Sequence, residues 1–143
     1  MSRAHGCAGA TNHLGQRASK TVGGVTTFFT YSDADGQLLG EYQYSTTTPP
    51  VLKPVREYVY LEGERVAMLD YTSGTMETIF LANNHIGQAQ FAWDASSDPR
   101  FERIQTPFGE GMIEKYGSAE IPVRFPGQYA DAESGLNQNW NRD

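Results

Sequence analysis

Residues 56–69, Arg-Glu-Tyr-Val-Tyr-Leu-Glu-Gly-Glu-Arg-Val-Ala-Met-Leu, carry the clearest structural signal in this chain. Two runs rich in β-branched and aromatic residues flank the short connection Glu62-Gly63-Glu64. Such runs favour β-strands, and a short connection that contains glycine favours a hairpin turn. The sequence therefore predicts an antiparallel hairpin near the middle of the chain.

Similar signals lie on both sides of this hairpin. Upstream, Gly23-Gly24 predicts a tight turn into a strand at 25–31, and Asp33–Gly36 predicts the next turn. Residues 45–54 contain three threonines and three prolines, which predicts a loop or crossover. Downstream, the sequence predicts extended segments at 75–81 and 88–94, with turns at 73–74, 83–87, 96–99 and 107–111.

The spacing of the turns indicates a repeat architecture. The turn glycines recur at intervals of 22 to 27 residues, at Gly36, Gly63, Gly87, Gly109 and Gly135. No window has the apolar spacing of an amphipathic helix. We therefore predict an all-β protein in which repeated antiparallel β-hairpins form a curved ribbon.

Composition limits the classes of function. The chain has 143 residues and a net charge of −6, with its few basic residues dispersed, which argues against nucleic acid as a partner. No apolar run is long enough for a membrane span, and the N-terminus lacks the apolar segment of a signal peptide. Cys7 is the only cysteine, which excludes an internal disulfide or a cysteine-rich zinc site.

The C-terminal segment contains the densest motif. A strand signal at Val123 continues into Arg124-Phe125-Pro126-Gly127-Gln128-Tyr129, and Asp131, Glu133 and Gly135 mark a second turn. Leu136 and Trp140 then begin another strand pattern. A strand pattern that no turn or polar tail follows is typical of a piece of a larger protein.

Residues 12–143 resemble the Rhs repeat-associated core of the YD-repeat (Rhs) family, whereas residues 1–11 carry no such pattern. The segment 124–136 is similar to the family motif RFPGQYxDxExGL, and 31–42 resembles the repeat unit YDxDGxLxxEY with Ser32 shifted against it. Residues 12–20 and 56–67 resemble other parts of the repeat. Ala82–Gly87 keeps only His85 and Gly87 of a family element, and the family pattern continues beyond Arg142.

The resemblance implies a β-ribbon that spirals into a hollow shell around a C-terminal toxin in bacterial polymorphic toxin systems. It implies a non-enzymatic shell fragment, secreted or at the cell surface in its full-length context, that lacks the toxin and the aspartate-dependent cleavage motif. Its partners would be the rest of the shell or the toxin domain. Its structural motif residues would be Gly36, Gly63, Gly87, Arg124, Phe125, Pro126, Gly127, Gln128, Tyr129, Asp131, Glu133, Gly135 and Leu136. We expect no catalytic residue, cofactor or metal.

Three residue groups have chemical alternatives. Asp131 and Glu133 could act as an acid/base pair or cation ligands, but their place in a glycine-containing turn favours bonds to backbone amides. His85 lacks the partners that a metal or general-base site needs, so a turn role is favoured. Asp98-Pro99 lacks the sequence context of the family's cleavage motif, which favours a loop.

The aromatic residues leave a second function open. Tyrosines and other aromatics at alternate strand positions favour cross-strand packing, but they could also stack on sugar rings. A cell-surface carbohydrate- or receptor-binding β-repeat module is therefore the alternative to a shell segment. For the isolated chain, open ribbon edges predict self-association or partial unfolding.

Overall fold

The structure, a computed structural model, describes residues 8–105, 111–116, 120–123, 128–131 and 136–139. The described residues form β-strands and turns and contain no helix, which confirms the predicted all-β class. The strands are β1 (Ala8–Thr11), β2 (Arg17–Val22), β3 (Val25–Tyr31), β4 (Leu38–Tyr44), β5 (Leu52–Leu61), β6 (Glu64–Asp70), β7 (Glu77–Asn83), β8 (Ala89–Asp94), β9 (Pro99–Gln105), β10 (Gly111–Lys115), β11 (Gln128–Asp131) and β12 (Leu136–Asn139).

The strands follow one another in chain order. β1 to β10 form one sheet in which each strand is hydrogen-bonded to its neighbours in chain order, and β11 pairs with β12 in a separate two-stranded sheet. Every pairing whose register is described is antiparallel. The chain divides into two compact units, residues 1–57 and 58–143, with the boundary inside β5.

The first unit buries a charged residue. On β4, Glu41 is only 2% exposed. It lies opposite Phe29 of β3 on one side and Arg56 of β5 on the other. Because an unpaired carboxylate is costly to bury, this row requires a cation, and Arg56 supplies it.

The second unit has an apolar core on one face of its sheet. Met68 of β6 and Ile79 of β7 are cross-strand partners, and both are fully buried. Ala92 of β8 and Phe101 of β9 form a second buried pair. Burial of each large side chain stabilises the fold by about 1.5–3 kcal/mol, so these strands anchor the unit.

The loop prediction for 45–54 was too long at its C-terminal end. β5 begins at Leu52 and includes Pro54, which lies opposite Tyr42 next to a register shift. A proline cannot donate to the ladder, and a bulge is one of the few strand sites that tolerates it. Likewise, Pro99 is the first residue of β9 rather than part of a loop, a strand position at which proline is also tolerated.

Candidate functional site

The most distinctive local structure is a five-residue turn at Asn12–Gln16. The Oδ1 atom of Asn12 accepts hydrogen bonds from the backbone N–H groups of Leu14 and Gln16, each at 3.0 Å. Gly15 has φ +78°, a conformation that glycine adopts at little cost. The buried Gln16 donates from Nε2 to the Gly36 carbonyl oxygen at 3.1 Å, so its side chain links this turn to the turn between β3 and β4.

The same turn occurs a second time at Asn84–Gln88, 72 residues later. Asn84 Oδ1 accepts hydrogen bonds from the N–H groups of Ile86 at 3.1 Å and Gln88 at 3.0 Å. Gly87 has φ +75°, and Gln88 is buried as Gln16 is. The two pentapeptides, Asn-His-Leu-Gly-Gln and Asn-His-Ile-Gly-Gln, therefore form the same hydrogen-bond pattern at two places in the chain.

A third turn at Asp94–Asp98 has the same backbone pattern with different side chains. Asp94 Oδ1 accepts hydrogen bonds from the N–H groups of Ser96 at 2.9 Å and Asp98 at 3.0 Å. The residue in the glycine position is Ser97, with φ +67°. The bonds from these amides, with Arg100 nearby, lower the pKa of Asp94, which keeps its carboxylate ionised as an acceptor.

Strand register repeats together with the turn. β1 pairs with β2, and β7 with β8, in the same register once 72 is added to each residue number of the first pair. Both pairings also contain a register shift at the same place, which leaves Ala18 and Gln90 as the extra residues on the second strand. The repeat therefore includes the β-bulge as well as the turn.

Three further bulges have the same sense. The extra residue is Leu39 where β3 pairs with β4, Val55 where β4 pairs with β5, and Arg100 where β8 pairs with β9. In each case it belongs to the strand that comes later in the chain. A bulge bends its strand and increases the local twist. The same type of bulge therefore bends and twists each of these strands.

The bulge at Arg100 directs a cation toward two carboxylates. Its guanidinium donates to both carboxylate oxygens of Glu77, at 3.0 Å for Nη2, and to Asp94 Oδ2 at 3.1 Å. These partners raise the pKa of Arg100. Bidentate arginine–carboxylate pairs have specific geometry, so this network fixes the positions of β7, β8 and β9 relative to one another.

The first unit contains a polar cluster on β4 and β5. Arg56 Nη1 lies 3.6 Å from Glu41 Oε2, and the Tyr42 hydroxyl donates to Glu57 Oε1 at 3.0 Å. The Tyr42 ring covers Gly40, where a Cβ atom would lie 2.9 Å from ring atoms. Burial and the bond to Glu57 raise the pKa of Tyr42. The charged and polar side chains of this cluster bind one another, which is typical of a structural role.

The second unit contains a buried arginine that packs on tyrosines. The Arg65 guanidinium carbon lies 5.6 Å from the Tyr58 ring centre and 5.8 Å from the Tyr60 ring centre. Its backbone carbonyl accepts a hydrogen bond from Asn83 Nδ2 at 2.7 Å. Aromatic faces attract a cation electrostatically, so the two rings stabilise the buried charge.

An exposed aromatic cluster is formed by Phe80, Trp93 and Phe91, which we call the aromatic ladder. Phe80 and Trp93 are cross-strand partners with ring centres 6.1 Å apart, and Phe91 lies 5.9 Å from Trp93. Phe80 is 39% exposed and Phe91 is 37% exposed. A contiguous exposed apolar group of this kind is a candidate contact surface.

The predicted motif residues fall into two groups. Gly36, Gly63 and Gly87 lie in turns with positive φ, and Gln128, Tyr129 and Asp131 lie on β11, which pairs with β12 from Leu136 onward. The others lie outside the described residues: Arg124, Phe125, Pro126, Gly127, Glu133, Gly135 and the turn glycine Gly109. Of the thirteen predicted motif residues, four therefore lie on the β11–β12 hairpin and three in turns between strands of the ten-stranded sheet.

The residues with chemical alternatives differ in their surroundings. His85 is exposed in its turn, and Asp98 accepts a backbone hydrogen bond from Asp94 at 3.0 Å in an exposed turn. Within the described ranges, no group of three or more histidine, cysteine, aspartate or glutamate side chains could hold a metal ion. That part of the chain also contains no helix long and apolar enough to cross a membrane.

Two features escaped the sequence analysis. The repeated pentapeptides at 12–16 and 84–88 were each considered alone, although their near identity is visible in the sequence. The Arg100 network had no sequence signal because Glu77 and Arg100 are 23 residues apart and meet only through strand register. No known protein-family model matches the chain, and no curated protein matches it significantly.

Proposed function

We propose that this chain is a wall segment of an Rhs/YD-repeat shell, which would enclose a C-terminal toxin domain. The repeated turn, register and bulge of β1–β2 and β7–β8 carry the proposal. A repeat in which each hairpin pairs with the next is suited to a continuous wall, because each unit covers the edge of its neighbour.

The chemistry of the described residues supports a structural role. Buried charged side chains have partners within the fold, as with Glu41 and Arg56, Arg65 and Tyr58, or Asp70 and Thr72. Bulges of one sense give successive strands the same kind of bend. A wall of this kind would act by enclosure, and the resemblance assigns toxicity to a separate domain.

The test is to isolate the native polypeptide that carries this sequence, using an antibody against the purified chain. The proposal predicts a polypeptide far larger than 15.8 kDa whose C-terminal domain resists protease until denaturant opens the shell. A native product of this segment alone would overturn the proposal. So would a C-terminal domain digested equally fast with and without denaturant.

The aromatic ladder favours a second candidate, a carbohydrate- or receptor-binding module. Sugar rings present C–H faces that pack on exposed aromatic rings, and the ladder offers Phe80 and Phe91 on one sheet face. Binding to a glycan array that saturates with concentration, and that Phe91→Ala abolishes, would support this function. Val59→Ala, at a similarly exposed apolar position, is the matched control. Absence of saturable binding would reject it.

A further inference from the structure

The aromatic ladder adjoins an acidic position on the same sheet face. One cross-strand row joins Ala82 of β7 to Phe91 of β8 and then to Glu102 of β9. In the register of β9 and β10, Glu102 lies opposite a second glutamate, Glu114. Directly opposite residues of an antiparallel pair share a face, with Cβ atoms about 4.5–5.5 Å apart. The row therefore runs from the aromatic ladder to acidic residues.

The Glu102 carboxylate is oriented by a neutral hydrogen-bond donor. The Tyr116 hydroxyl donates to its Oε2 atom at 2.9 Å, and a hydroxyl orients a carboxylate without adding a positive charge. Among the residues whose side chains the structure describes, no lysine or arginine forms an ion pair with Glu102. This part of the face is therefore complementary to a cation.

Exposed apolar side chains lie on both sides of this carboxylate. Ile104 is 45% exposed and lies two residues after Glu102 on β9, so the two residues share a face. Phe80 and Phe91 of the ladder are exposed to a similar degree. Protein interfaces are enriched in aromatic residues and arginine, and they form on contiguous apolar surfaces of this kind. A protein partner is therefore the class of ligand that this composition favours.

Two internal arginines indicate which group of such a partner fits. The Arg65 guanidinium lies over the Tyr58 ring, and the Arg103 guanidinium carbon lies 5.4 Å from the Phe101 ring centre. A guanidinium stacks on aromatic faces and also donates to carboxylates through its planar set of N–H groups. The ladder and Glu102 offer both contacts at one exposed place. A lysine ammonium is not planar and does not stack in this way, and a neutral sugar brings no charge to the carboxylate.

We propose that the aromatic ladder and Glu102 bind an arginine side chain on a basic segment of a partner protein. The guanidinium stacks on the exposed rings and donates to the Glu102 carboxylate. The net charge of −6 on the chain favours the approach of a basic segment. This assignment requires neither an enclosing shell nor a glycan ligand.

The first test compares peptides that differ only in charge. The probe is a peptide of alternating glycine and arginine, and its control has citrulline, a neutral isostere, in place of each arginine. Isothermal titration calorimetry with the full chain should show saturable binding of the arginine peptide, about tenfold tighter than that of the citrulline peptide. Equal affinities, or no binding of the arginine peptide, would overturn the proposal. A lysine peptide that binds as tightly would exclude a stacked guanidinium.

Variants of the chain test whether the peptide binds at the ladder. Glu102→Gln keeps the size of the side chain and should weaken binding of the arginine peptide about fivefold, and Phe91→Ala should weaken it about tenfold. Val59→Ala and Glu62→Gln, at an exposed apolar and an exposed acidic position, should bind as the parent chain does. If Glu102→Gln bound the peptide with unchanged affinity, the proposal would be wrong, and this result does not depend on whether Phe91→Ala folds.

A spectroscopic measurement reports on the ladder directly. The chain has two tryptophans, so Trp93 is the only one in a Trp140→Phe variant, and the arginine peptide should change its fluorescence emission. Unchanged emission at saturating peptide would place the peptide elsewhere and overturn the assignment. Saturable binding to a glycan array without binding of the arginine peptide would also overturn it and would favour the carbohydrate-binding candidate. Absence of both would reject the two together.

Discussion

At the residue scale, the turns show how one backbone shape is specified by different side chains. Asn12, Asn84 and Asp94 each accept two backbone N–H bonds through Oδ1. Asparagine and aspartate make such bonds more readily than other residues. The position with positive φ is less uniform, because it is glycine in two turns and Ser97 in the third.

Replacement of Ser97 by glycine should stabilise the protein. A side chain at φ +67° experiences the steric cost of the left-handed region, and glycine removes it. We expect Ser97→Gly to raise the free energy of unfolding in urea by about 0.5–1 kcal/mol. Gly87→Ser, the reverse change in the equivalent turn, should lower it by about 1 kcal/mol. If Ser97→Gly and Gly87→Ser changed the free energy of unfolding in the same direction and by the same amount, φ at this position would not govern stability.

Gly40 should respond to alanine in opposite ways in two backgrounds. A Cβ atom there meets the Tyr42 ring at 2.9 Å, so the ring must leave Glu57. Gly40→Ala should therefore lower the free energy of unfolding by about 1 kcal/mol. In a Tyr42→Ala background the same change should raise it by about 0.5 kcal/mol, because alanine restricts the unfolded chain. A double-mutant cycle measured by thermal unfolding tests this change of sign.

At the scale of elements, β3 is tied to β2 through Tyr31. Its hydroxyl donates to the Arg17 carbonyl oxygen at 3.0 Å. Burial raises the pKa of this tyrosine to about 12. The Tyr31 side chain therefore links the end of β3 to the start of β2. Loss of its hydroxyl proton at high pH should break this link.

The alkaline stability of the chain should report this contact. An unfolded tyrosine titrates near pH 10, so the folded state retains the Tyr31 proton more strongly. The stabilisation is complete below about pH 10 and is lost as pH rises through about 12. Tyr31→Phe should flatten the fall in unfolding free energy over that range, whereas Tyr44→Phe, at an exposed tyrosine, should not. Equal slopes for both variants would contradict the assignment.

Some of the strands could be predicted from the sequence, and others could not. β3 and the strands flanking Gly63 were predicted because β-branched and aromatic runs mark them. β2, with the sequence Arg-Ala-Ser-Lys-Thr-Val, and β9 lack such runs, and their pairing partners supply the order instead. Bulges were beyond sequence analysis because the extra residue is defined only once two strands are paired.

The residues of the candidate site also differed in whether the sequence could predict their positions. Gly36, Gly63 and Gly87 could be assigned to turns because glycine is favoured at positive φ, which is a local property. The Arg100 network and the aromatic ladder could not, because each joins residues from separate strands. The local backbone conformation could be predicted from the sequence. Contacts between residues of separate strands could not, because they depend on the register in which the strands pair.

At the scale of the whole molecule, stability should be unevenly distributed along the chain. Met68, Ile79 and Ala92 are fully buried, whereas all four residues of β1 are exposed. Backbone amides open most rarely where burial is greatest. Amide hydrogen exchange followed by mass spectrometry should therefore be slowest in β6, β7 and β8 and fastest in β1. Uniform exchange across these strands would mean that burial does not set local stability.

The duplicated turn has a consequence for folding fidelity. A newly made chain contains two hairpins with the same loop and the same bulge, so β6 meets two candidate neighbours, β7 and β1, of equal backbone geometry. Side-chain size must separate them: Phe80 and Trp93 stand where the first copy has Ala8 and Thr21. The aromatic pair thus distinguishes β7, the correct partner of β6, from the competing strand β1. Replacement of Phe80 and Trp93 should therefore increase the fraction of misfolded chains before it lowers the stability of the folded ones.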